Sequence, residues 1–291
     1  AANMLTAYYS RGCDSREIFS KFEISESPDF EKYRNKYNTI FLNMQEFLSR
    51  SDSVEALVDR VKKLVLRDLK REYPDVDYFD DTDLVESMQD IYETEKCPFV
   101  VIIDEWDCIF REFRQNKEAQ EKYLDFLRDL LKDKACIHLA YMTGILPIKK
   151  YGTHSALNMF DEFSMINPGP LAPYVGFTEV EVEYLCHKYR MDMEEVKAWY
   201  DGYSFSMAAS VYSPRSVVNS MLFGKIENYW NQTETFEALQ VYIDMNFDGL
   251  KDDVLSMIAG ERIPVNTGSF TNDMTTFRTE DDVLTLLIHL G

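Results

Sequence analysis

The chain has 291 residues, which at roughly 100–200 residues per domain accommodates two domains. Its 51 Asp and Glu outnumber 31 Lys and Arg, giving a net charge of −20; so acidic a surface repels a phosphate backbone, and no basic cluster offers a local exception, so direct nucleic-acid binding is not expected. A 45% hydrophobic share excludes a disordered chain, and only 11 Gly and 9 Pro argue for a helix-rich fold against barrels or propellers with many turns.

Five widely spaced cysteines (Cys13, Cys97, Cys108, Cys136, Cys186) form no Cys-x-x-Cys, which speaks against a disulfide scaffold or a zinc site and fits a reducing cytoplasm. No apolar run approaches the ~18 residues that span a membrane, and AANMLTAYYS lacks the basic region of a signal peptide. Asn231-Gln-Thr fits a glycosylation sequon without a secretory context and reads as chance.

In chain order, AANMLTAYYSRG reads as a helix stopped by Gly12. Nothing at its beginning can serve as an N-cap, so the expectation is a chain cut inside that helix. YNTIFLNM (Tyr37–Met44) is β-branched and aromatic, as a buried strand is. Ser53–Tyr73 repeats Val54, Leu57, Val58, Val61, Leu64, Val65 and Leu69 at helical spacing, and Pro74 ends it. The acidic loop Asp75–Asp83 leads into a helix ending near Glu95. It has calcium-like acidity but lacks the Gly and closing Glu of an EF-hand, so it reads as a solvated loop with helix caps.

CPFVVIIDE is apolar on both faces and suits a parallel strand covered by helices. Glu118–Lys132 is a further helix, and CIHLAYMTG (Cys136–Gly144) a third buried strand with His138 in the core. This alternation predicts an α/β domain with a parallel sheet. After Gly169-Pro170 the pattern turns mostly helical, with starts at Thr178-x-x-Glu181, Asp192-x-x-Glu195 and Ser213-Pro214. Helical stretches follow over Glu234–Met245, Leu250–Ala259 and Asp281–Leu290, with short extended pieces at Val211–Tyr212 and Arg262–Val265. The division expected is 1–170 and 171–291.

The chemistry concentrates in Phe99–Glu105. An apolar run ending in Asp104-Glu105 describes a Walker B strand: the first carboxylate can hold hydrated Mg²⁺ at the strand's C-terminal edge, and the second can polarise an attacking water. The bland alternative is a buried strand ending at two solvated acids. Asp107 is read as the N-cap of the next helix in preference to a helper acid. Thr143, closing the next strand, would lie beside the acid pair, where ATPases sense the terminal phosphate, or else it ends the strand in a turn.

Other candidates carry less. His138, His154, His187 and His289 are scattered. Lys149-Lys150-Tyr151 is a phosphate-facing patch or a solvated turn. Trp199–Tyr203 and Tyr212–Arg215 read as aromatic turns, from which Arg215 could reach a nucleotide. The phosphate loop G-x-x-x-x-G-K-[ST] occurs nowhere in the 291 residues.

Six blocks together resemble the predicted AAA-ATPase-like family of bacteria: Thr143–Met165, Pro168–Val182, WYDGYSF (Trp199–Phe205), VYSPRSVVN (Val211–Asn219), GCDSREIF (Gly12–Phe19) and Asn272–Gly291. The resemblance covers nearly the whole chain. It implies a P-loop core whose first strand and phosphate loop precede Ala1, a helical lid of winged-helix character, and a C-terminal PD-(D/E)XK nuclease-like domain beyond Gly291. It implies Asp104 as the Mg²⁺ and nucleotide-binding acid, and Glu105 and Thr143 as catalytic base and sensor. ATP and Mg²⁺ would bind only in the intact protein, the fragment itself being inactive. ATP turnover would then regulate the nuclease-like domain. The rival expectation is a non-enzymatic interaction module that kept the ATPase fold.

Overall fold

The computed structural model describes residues 1–113, 115–145, 157–229, 246–268, 270, 277 and 279–290. The chain divides into two compact units, Ala1–Phe160 and Asp161–Gly291.

The first unit is built on three parallel strands in spatial order, β1 (Asn38–Asn43), β2 (Phe99–Asp104) and β3 (Ile137–Met142). Asn43 pairs with Asp104, and Ile103 with Met142, so the strands end together. Helices Val54–Glu72 and Leu84–Glu95 connect β1 to β2, and Lys117–Leu131 lies between β2 and β3. Each starts where the sequence supplies an oxygen for its orphan N–H groups. Ser53 accepts from Ala56 N at 3.2 Å, Asp83 from Val85 N at 2.8 Å and Glu86 N at 3.0 Å, and Asn116 from Ala119 N at 3.0 Å. The acidic loop is thus a cap-bearing turn, with Asp80 accepting from Thr82 N at 2.8 Å.

The continuous apolar character of β2 follows from cover on both faces. Val101 and Ile103 join Leu57, Val61 and Leu127 in one core, while Val100 and Ile102 join Ala2, Leu5 and Tyr37 in another, beneath the Ala2–Tyr9 helix. All four side chains are fully buried, each worth roughly 1.5–3 kcal/mol relative to exposure.

Three expectations for this unit need correction. The opening helix does end near Gly12, but by a different device. It stops at Tyr9, Ser10 turns extended and bridges to Tyr37, and Gly12 has no positive φ. Strand β3 is half-buried, because among the described residues it pairs with β2 alone. His138 is therefore exposed; its ring stacks on Tyr37 at 4.6 Å, and its Nε2 lies 3.1 Å from the Tyr37 hydroxyl.

The second unit holds β4 (Phe177–Thr178), β5 (Asp201–Phe205) and β6 (Ala208–Tyr212), antiparallel in the order β4-β6-β5. Helices Glu179–Tyr189, Met193–Tyr200 and Pro214–Phe223 bring Val182, Val196 and Val217 together around Tyr212 of β6. The helix starts fall where the sequence places them: the Glu181 carboxylate accepts from Thr178 N and Oγ1, both at 2.8 Å, and Asp192 accepts from Glu195 N at 2.9 Å. The aromatic turn expected at Trp199–Tyr203 is instead the end of a helix running into β5, whose Tyr203 hydroxyl donates to Ile288 O at 2.7 Å. Helices Leu250–Ile258 and Glu280–Leu290 match their expected positions, and Arg262–Val265 forms no strand. Asn231, Glu234–Met245, Lys149-Lys150 and His154 lie outside the described residues. Among the described residues no helix is long and apolar enough to cross a membrane.

Candidate functional site

The candidate site lies at the carboxyl ends of β2 and β3. Their ladder continues one step past both strands: Thr143 N donates to Ile103 O at 2.9 Å, and Trp106 N to Thr143 O at 3.0 Å. These bonds set Thr143 beside Asp104, and the threonine hydroxyl donates to Asp104 Oδ1. Two residues 39 positions apart are thereby joined by sheet register. No hydrogen bond to Asp104 Oδ2 occurs among the described residues.

Glu105 turns the chain away from β2 with φ +56°, the left-handed region that non-glycine residues seldom occupy. Its carboxylate is ion-paired with the Arg111 guanidinium. Asp107 occupies the N-cap position of the Cys108–Glu112 helix, yet its side chain does not cap it, contrary to the sequence expectation. It is fully buried, accepts from Ile145 N at 3.2 Å and lies 3.4 Å from Arg111 Nε. A backbone N–H from beyond β3 and a guanidinium outcompete the helix's own N–H groups for this carboxylate.

Gly144 makes that approach possible. A β-carbon there would sit 2.6 Å from Asp107 Oδ1 and 2.7 Å from Trp106 Cδ1. Trp106 is itself buried, 5.3 Å from the Phe110 ring. Burial, and after it the charge of Asp104, raises the Tyr141 hydroxyl above its ordinary pKa. Burial pushes the Cys108 thiol up to about 12, so it is no thiolate nucleophile at neutral pH.

The donor set bears on Mg²⁺. A carboxylate and a hydroxyl, both hard oxygen donors, meet at the end of a parallel sheet, and Mg²⁺ characteristically takes one or two protein carboxylates while keeping several waters. Asp104 and Thr143 fit that mode. Among the described residues no cluster of three or more His, Cys, Asp or Glu forms a protein-only metal cage.

Of the residues singled out in the sequence, Asp104, Glu105 and Thr143 converge on one edge. Arg215 is exposed in the second unit, and Lys149 lies outside the described residues. Sequence reasoning missed Arg111 and the need for Gly144. Arg111 had a signal: it stands four residues after Asp107, the spacing at which opposite charges share a helix face.

Comparison with known proteins bears on this unit above all. The profile of the family described as "Predicted AAA-ATPase" matches residues 1–153, just over half of the chain and nearly all of its first unit. A protein of Azotobacter chroococcum mcd 1, described as "Uncharacterized protein in vnfD 5'region", is 31% identical in an alignment 144 residues long that covers 47% of this chain and 27% of the relative. The matched segment is thus little more than a quarter of that relative's length. No solved structure matches the chain. The parallel sheet, the acid pair at its edge and the matched span agree: the chain belongs to the predicted AAA-ATPase family.

Proposed function

We propose that the first unit is the hydrolytic core of an ATPase, with MgATP bound at the carboxyl edge of β2 and β3. The observation that carries the reading is the Thr143 hydroxyl held on Asp104 where two parallel strands end. There Asp104 would hold Mg²⁺ through water, and the ion, when bound, would supply charge neutralisation to the phosphates. Thr143, positioned by Asp104, would turn its hydroxyl proton from that carboxylate to the terminal phosphate when MgATP is bound. Glu105, the next residue, would orient and deprotonate the attacking water.

The 291 residues contain no G-x-x-x-x-G-K-[ST], so the proposal assigns the phosphate-cradling loop to sequence outside them. The half-buried β3 supports this, since among the described residues its second edge pairs with no strand. The second unit is proposed as the lid. Regulation of a C-terminal nuclease-like domain is proposed on the family resemblance alone.

The test is single-turnover ATP hydrolysis by the full-length protein and its Glu105→Gln variant. The variant should bind ATP as wild type does and hydrolyse it ~10²-fold or more slowly, the usual size of a general-base contribution. An unchanged rate would remove Glu105 from the base role. Failure of the full-length protein to bind ATP would favour the non-enzymatic interaction module.

A further inference from the structure

The residue assigned above as the base does not present a free carboxylate. Arg111 is paired to Glu105 Oε2, and Glu105 itself sits in left-handed backbone geometry of the kind that persists only where surrounding contacts over-determine it. Arg111 is no loose surface side chain. Its side chain is 27% exposed, and its Nε lies 3.4 Å from the fully buried Asp107 carboxylate, which also receives the Ile145 N–H. The Cys108–Glu112 helix sets Asp107 and Arg111 on one face, so the guanidinium is anchored at one end and engages Glu105 at the other.

That arrangement has a chemical consequence. A carboxylate oxygen that accepts a charge-assisted hydrogen bond from a guanidinium has that lone pair committed and its direction fixed. That lone pair cannot at the same time accept from a water, and the ion pair holds Oε1 and the remaining lone pair of Oε2 in one fixed orientation rather than one set by a phosphate-bound water. The anchor leads back to the sensor residue: Ile145 lies two positions after Thr143, and Gly144 between them is in close approach to Asp107. The Ile145 N–H and the Arg111 guanidinium meet on the same Asp107 oxygen, so a shift of the Thr143–Ile145 segment would bear on Asp107 and through it on Arg111.

We propose that Arg111 is a latch on Glu105, seated on Asp107, and that hydrolysis requires the Arg111–Glu105 pair to open. The proposal rests on the reading of Glu105 as the base and deepens it: Arg111 is a positioning residue that acts through Glu105, not on the substrate.

The experiment measures ATP affinity and single-turnover hydrolysis for full-length wild type, Arg111→Met, Arg111→Lys, Glu105→Gln and the double variant Arg111→Met/Glu105→Gln. Methionine keeps an apolar stem and removes the guanidinium. For a partly exposed charge-assisted pair, Arg111→Met should hydrolyse ATP about five- to tenfold faster at unchanged affinity. Lysine can still pair as a point charge, so Arg111→Lys should stay near the wild-type rate. In the double variant the gain should vanish, which a merely structural role would not produce. If Glu105→Gln is slow but Arg111→Met is no faster than wild type, the latch is overturned while the base reading stands. Hydrolysis by Glu105→Gln at the wild-type rate, or by no form despite ATP binding, overturns the base reading and the latch with it.

Discussion

Replacing Gly144 by alanine tests the tightness of the turn on which the candidate site depends. The added carbon would meet Asp107 Oδ1 at 2.6 Å, Trp106 Cδ1 at 2.7 Å and Trp106 Nε1 at 2.8 Å, all closer than real β-carbon contacts come. Neither neighbour has room to withdraw. Trp106 is packed against Phe110, and Asp107 is buried and held by Ile145 N and Arg111. Overpacking a tight interior typically costs about 1–3 kcal/mol. The lower unfolded-state entropy of alanine offsets about 0.4–1 kcal/mol of this. Gly144 has no positive φ, so alanine adds no backbone strain. The net loss spans about 0–2.6 kcal/mol with its middle at ~1.3 kcal/mol, which for a unit of this size lowers Tm by on the order of 3–5 °C. Differential scanning calorimetry reads it, with Gly202→Ala as control, because a β-carbon at Gly202 meets nothing within 4 Å. A Tm for Gly144→Ala equal to or above that of the control would refute the close approach.

Val101→Asp places an unpaired charge at the centre of a strand covered on both faces, and should abolish cooperative unfolding of the first unit by calorimetry; an intact first transition would contradict the double cover. Burial raises the pKa of Cys108, Cys136 and Cys186, so a thiol reagent at pH 8 should label exposed Cys13 first and those three only on unfolding. Because the Cys108 thiol is raised in the folded state, its contribution to stability is full below its ordinary value of 9.0 and is lost as pH rises toward about 12, so urea midpoints should fall over that window.

Much of the first unit was legible because its signals are local. The stripe Val54, Leu57, Val61, Val65 and Leu69 states a helix, and Ser53 and Pro74 bracket it. Strand β2 announces cover on both faces by having no polar residue until Asp104. Strand β3 misled for the opposite reason. Its composition resembles that of β2, but exposure is set by position in the sheet, and a residue such as His138 carries no local mark of edge or centre. The second unit's sheet was legible only at Val211–Tyr212, which lies in β6. Strand β5 is DGYSF, with Asp, Gly and Ser that strands usually avoid, and it is held by pairing with β6 rather than by propensity.

The site divides along the same line between local and long-range contacts. Asp104-Glu105 is readable as two acids closing an apolar run, and Thr143 as a polar residue closing the next. Their contact follows once the strands are parallel and adjacent. Asp107 was assigned by a local rule, that an acid before a helix caps it, and the rule failed because Ile145 N, 38 residues away, reaches the same carboxylate. That displacement has a consequence of its own. An acid spent on its helix would leave Arg111 without an anchor and Glu105 without a partner. An acid taken up by the chain beyond β3 instead ties the Thr143–Ile145 segment, Arg111 and Glu105 into one connected unit. The residue that departs from its local rule is the one that joins the ends of β2 and β3, as a long-range contact overriding a local preference does.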